Sequence, residues 1–142
     1  MVYRLHFFAK TGEENGQAAI NRLLDQVAAS GQPVLSEWRG PFVDEVASYR
    51  LATSGPDGAA TADWLTLELH LGAEFNANMV IGIDPDDEHE IWGSDVHAQI
   101  SLSGQNPGWE LVHRIWSALE RLWRAVAWDE QSGFAISRHA PS

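Results

Sequence analysis

The chain opens with VYRLHFF, in which Tyr3, Leu5 and Phe7 occupy one phase and Arg4, His6 and Phe8 the other. A period of two sends successive side chains to opposite sides of a strand, so this run predicts a strand with one side in a core. After a charged turn bracketed by Gly12 and Gly16 the period changes. In AAINRLLDQVAAS, Ala19, Ile20, Leu23, Leu24 and Val27 recur near helical spacing, and Gly31 and Pro33 supply a stop.

Residues 34–52, VLSEWRGPFVDEVASYRLA, admit either two short strands separated at Gly40-Pro41 or one strand and an irregular segment. TSGPDGAAT follows as a turn-rich connection, since proline restricts φ and glycine accepts positive-φ positions. WLTLELHL then alternates cleanly, with Leu65, Leu67, Leu69 and Leu71 in one phase and Trp64, Thr66, Glu68 and His70 in the other. NANMVIGIDP predicts a further strand with Met79, Ile81 and Ile83 in phase. DVHAQISL predicts another, with Val96, Ala98, Ile100 and Leu102 inward and Asp95, His97, Gln99 and Ser101 outward. These three runs read as a largely antiparallel meander.

The strongest helical pattern follows Asn106-Pro107, a cap and first-turn pair. GWELVHRIWSALERLWRAVAW sets Val112, Ile115, Trp116, Leu119, Leu122, Trp123 and Val126 on one broad apolar stripe. Trp109, Trp116 and Trp123 fall seven apart on its inward side and read as core. Asp129 to Gly133 is the expected helix stop, and GFAIS a short closing strand. The pattern predicts an α+β fold: a mixed or mainly antiparallel sheet with two major helices packed on one face. Residues 1–142 are read as a single compact domain, with 138–142 a polar tail expected to fray.

Composition narrows the class. Hydrophobic residues make up 44% and charged residues 20%, which favours ordinary packing over global disorder. There is no cysteine, so no disulfide framework and no thiolate chemistry. The opening has no long apolar signal core and no segment approaches bilayer length, so a cytoplasmic protein without a membrane partner is expected.

The formal charge of -11 disfavours attraction to phosphate backbones, so nucleic acid is not an expected partner. Between Arg50 and Arg114 there is no lysine or arginine but eleven Asp or Glu, a number equal to the whole chain's formal excess. The densest stretch is DPDDEHE. Asp84, Asp86, Asp87, Glu88 and Glu90 repel one another, and a Lys- or Arg-rich partner protein would relieve that repulsion. Asp129 and Glu130 are expected to extend this surface, with Ile91 and Trp92 as an apolar anchor. The bland alternatives are a solvated turn for the acids and core packing for Trp92.

Two metal sites are open on residue type. Oxygen ligands in DPDDEHE suit calcium or magnesium, although the spacing is not that of an EF-hand loop. If the strands carrying them are neighbours, Glu68 and His70 share a face with Asp95 and His97, and His6 can join them as a zinc set. Such a set would support a metal-dependent hydrolase, in which a carboxylate takes a proton from metal-bound water. Other catalytic templates fail: no serine lies in Gly-x-Ser-x-Gly, and there is no phosphate loop or dinucleotide fingerprint. Arg114, Arg121 and Arg124 lie on or beside the polar side of the last helix and are suited to an anionic group. The leading expectation is a non-catalytic acidic protein-binding module, an intracellular inhibitor or immunity-like protein that masks a basic surface. The alternatives are the hydrolase just described and a structural homo-oligomer or soluble ligand-binding protein. No cofactor is required by the leading reading.

Overall fold

Where apolar and polar residues alternate the chain pairs into strands, and where they recur every three or four positions it coils against them. The computed structural model describes residues 3–12, 16–38 and 46–136. Along these run β1 (Tyr3–Ala9), α1 (Gly16–Ala29), β2 (Val34–Trp38), β3 (Val46–Thr53), β4 (Leu65–Leu71), α2 (Ala73–Ile83), β5 (Val96–Leu102), α3 (Trp109–Trp123) and β6 (Val126–Trp128). The six strands form one sheet in the order β2-β3-β4-β5-β1-β6, each pair antiparallel. The fold is α+β. Residues 34–52 thus supply two strands, while Gly40-Pro41 and the 138–142 tail lie outside the described residues.

The first sheet face carries the main core. Leu5 and Phe7 of β1, Leu65, Leu67 and Leu69 of β4, and Val96, Ala98 and Ile100 of β5 meet Ile20, Leu23 and Val27 of α1 and Val112, Ile115, Trp116 and Leu119 of α3. Each fully buried large side chain there contributes roughly 1.5–3 kcal/mol, enough to hold helices that would be marginal alone. Trp116 and Trp123 are buried, and Trp109 packs against Tyr3 with ring centroids 5.8 Å apart.

The second face is half covered. Phe8, on the opposite side of β1 from Phe7, packs with Val80 of α2 and with Ile91, flanked by Met79, Ile83, Val126, Trp128 and Phe134. The expected strand over NANMVIGIDP is therefore a helix, and β4 and β5 pair directly with α2 inserted between them. Asn76, Val80 and Ile83 stand four and three residues apart, so the run satisfies a helical period as well as an alternating one. Tertiary packing of Val80 decides between them. Buried Asn76 secures the first turn by donating from Nδ2 to the carbonyls of His70 and Gly72, both at 3.0 Å. Ile81, which the strand phase turns inward, is 50% exposed.

Three boundaries near the end of the chain also differ from expectation. The backbone of Asn106 pairs with Asp63 in place of a side-chain cap, Pro107 bridges the same residue, and α3 starts at Trp109 behind Gly108. That helix ends at Arg124, whose left-handed backbone (φ 53°) lets its amide reach the carbonyls of Glu120 and Leu119, so Asp129 to Gly133 is not its stop. Val126 consequently belongs to β6, beside Phe8. Over its described residues, 133–136, GFAIS does not form the closing strand: Gly133 makes an isolated bridge to Asp129, and the next residues turn. Among the described residues no helix is long and apolar enough to cross a membrane.

Candidate functional site

The acidic stretch begins where α2 runs out of helix. The Asp84 amide donates to the Val80 carbonyl at 2.9 Å, and the chain then turns through Asp87 and Glu90, both left-handed at φ 53° and 58°. Asp84 organises this turn from the inside. Its carboxylate, 4% exposed, accepts the amides of Glu88 at 3.1 Å and His89 at 2.8 Å, with His89 Nδ1 at 3.4 Å. Burial alone would raise its pKa, but these amides and the imidazole together outweigh it and hold the carboxyl below the usual range.

A second layer of bonds ties Trp92 to the loop. The indole Nε1 donates to the Asp84 carbonyl at 2.7 Å, and the Trp92 amide donates to Asp87 Oδ1 at 3.0 Å. Trp92 is still 40% exposed, whereas the adjacent Ile91 is buried. His89 stacks on Phe134 with centroids 3.7 Å apart, linking the loop to the segment after β6.

The eight residues expected to face a partner thus divide. Asp86, Glu88, Glu90 and Trp92 are exposed and Asp87 is half-buried. Asp84 is an internal strut and not part of the surface. Asp129, 3% exposed, is also internal: Tyr3 Oη donates to its Oδ2 at 2.6 Å and the Ser132 amide donates to Oδ1. Burial, together with that bond and the Asp129 charge, raises the Tyr3 pKa, so the phenol stays a donor. Glu130 is exposed but lines a cleft with Tyr3, Arg4 and Trp109. Ile91, expected beside Trp92 as an anchor, is an interior residue whose removal would open the second core. Lys10, which the sequence did not mark, and Arg124 line a cleft of about 550 Å³ with Asp87, His89 and Glu90. Of the loop acids that reach the surface, Asp86 and Glu88 lie outside that shared cleft.

The second sheet face gathers the histidines. His6 and His97 face each other with Nδ1 and Nε2 2.8 Å apart, so one nitrogen donates a proton to the other's lone pair. His70 stacks on His97 with ring centroids 5.1 Å apart, Phe8 also stacks on His97 at 5.0 Å, and Trp128 tilts against His6. Burial lowers the pKa of both paired histidines, that of His97 to about 3, with the charges of His6 and His70 acting in the same direction. Glu68 Oε1 lies 3.6 Å from His70 Nε2. Asp95 is elsewhere engaged, accepting the Thr11 amide and hydroxyl at 2.8 Å each. The parity argument therefore brings His6, His70 and His97 together with Glu68, but not Asp95. The rings are stacked, and among the described residues no group of three or more His, Asp or Glu is arranged to hold a metal ion.

No family model matches the chain, and no curated protein or solved structure is significantly similar to it.

Proposed function

We propose that the protein is a non-catalytic binding module that covers a basic surface of a partner protein, in the manner of an inhibitor or immunity-like protein. The observation that carries this reading is a rigid acidic loop built at an electrostatically unfavourable place. The C-terminal end of α2 is the negative end of its macrodipole, and its last turn contains no basic residue. Asp86 and Glu88 are nonetheless held there, exposed, on a turn fixed by Asp84. A local rule broken without an internal gain is what a site kept for recognition looks like.

The partner's contact would centre on Asp86, Glu88 and Trp92, with Ile81 as further apolar area. Charge steers such an encounter, and the half-exposed indole supplies affinity that exposed ion pairs do not. Because Trp92 is already bonded through its Nε1, little side-chain freedom is lost when it docks.

The test uses a panel of Lys- and Arg-rich peptides and folded basic domains, with affinity measured at low and high salt. A saturable, salt-weakened complex is expected. It should weaken roughly tenfold in Asp86→Asn/Glu88→Gln and again in Trp92→Ala. Asp57→Asn, in the exposed 54–60 turn, should leave it unchanged. Equal binding by all these variants would remove the loop from the mechanism.

A further inference from the structure

We propose that the groove between α1 and α3, on the sheet face opposite the acidic loop, binds a phosphate-class oxyanion. The groove encloses about 340 Å³ and is lined by Gln26 and Ser30 of the α1 end and by Glu110, His113, Arg114, Ser117 and Arg121 of α3. That volume falls within the range of small-molecule clefts. Its charge is unusual for this chain: two of only nine lysines and arginines stand here against a single carboxylate.

Helical spacing explains the gathering. Positions 110, 114, 117 and 121 are three or four apart and so share a side of α3, with His113 beside them. Arg114 is set by α1: its Nε donates to Ser30 Oγ at 2.9 Å and its Nη2 to the Val27 carbonyl at 2.6 Å. Gly31 makes room for the guanidinium, since a Cβ there would lie 3.3 Å from Cζ and from Nε. The guanidinium is thus oriented before any ligand arrives.

Two nitrogens of this lining are buried with no hydrogen-bond partner among the described residues, Arg114 Nη1 and His113 Nε2. Buried polar atoms are nearly always paired, so the Arg114 donor calls for an acceptor, as does His113 Nε2 in the tautomer that carries its proton there. An acceptor with several oxygens satisfies a guanidinium, an imidazole and the exposed Arg121 at once, which a planar carboxylate does less well. Glu110 opposes the same charge and limits affinity. The ligand is inorganic phosphate or the terminal phosphate of a small phosphomonoester. This assignment is independent of the acidic loop.

Inorganic phosphate and glucose 6-phosphate are titrated separately into the full chain at constant ionic strength, with chloride as control, and backbone amide shifts are followed by NMR. Saturable shifts confined to residues 26–31 and 110–121 are expected. Arg121→Gln and His113→Gln should each weaken binding roughly tenfold, and Glu110→Gln should strengthen it severalfold. Tighter binding of the sugar phosphate assigns the phosphomonoester, and tighter binding of the free ion assigns phosphate. Absence of saturation up to about 10 mM, matching shifts with chloride, or indifference to all three substitutions overturns the site.

Discussion

Asp84 has the same charge as the residues around it and the opposite role. Its two carboxylate oxygens take one amide each from Glu88 and His89, so the turn depends on it while Asp86 and Glu88 do not. Asp84→Ala should release both amides, with hydrogen exchange at Glu88 and His89 rising roughly tenfold and partner binding lost, while the first core stays protected. Unchanged exchange would mean that the turn holds itself. The wealth of acid was legible in DPDDEHE, but which acid turns inward was not, because that depends on where α2 ends.

His97 gives a pH dependence with a definite sign. Unfolded, its imidazole titrates near 6.5, whereas in the fold it does so at about 3. Between those values the unfolded chain takes up a proton that the native state refuses, so stability falls as the pH falls from about 6.5 toward 3 and is unaffected above that window. The His97 contribution should cost about 2 kcal/mol at pH 5 relative to pH 8, read from urea unfolding, and the slope should be shallower in His97→Leu. A flat wild-type profile over that range would show that the pair accepts protons in place. Strand parity put His6, His70 and His97 on one side. The burial of His6 and His97 was not readable, since it depends on tertiary neighbours such as Trp128, which tilts against His6.

At the scale of elements, the errors have one physical source. In β4 one side meets the core and the other does not, and the period of two is unambiguous, while β1 and β5 keep the same phase but also bury His6, Phe8 and His97 on the second side. In MVIGI nearly every position is apolar or glycine, so helix and strand periods fit equally and packing of Val80 against Phe8 chooses. The end of α3 is a similar case: LWRAVAW keeps an apolar rhythm straight through the break, and nothing in residue type announces that Arg124 adopts a left-handed backbone. That conformation is costly for any residue with a Cβ, so Arg124→Gly should stabilise the protein by about 1 kcal/mol in urea unfolding. Destabilisation instead would reveal that the Arg124 side chain, in its cleft with Asp87 and Glu90, contributes more than the strain removes.

Across the whole molecule, the densest acidic stretch and the pair of groove arginines lie on opposite faces of the sheet. The acidic loop and α2 lie on the second face, while Arg114 and Arg121 line a groove over the first. A chain of formal charge -11 gains nothing in stability from concentrating acids at the negative end of a helix, and ought to lose some. Neutralising them in Asp86→Asn/Glu88→Gln should therefore raise the melting temperature by about 1–2 °C at low salt, even as it weakens partner binding. The gain should shrink in 0.5 M NaCl, roughly, where screening already operates within a few ångströms. Both side chains are exposed and take no part in the bonds that Asp84 makes to hold the turn, so no packing loss is expected to mask the effect. A variant that melts lower at every salt concentration would show that these carboxylates serve the fold. One that melts higher and binds more weakly would show that the fold carries them at a cost for the sake of recognition.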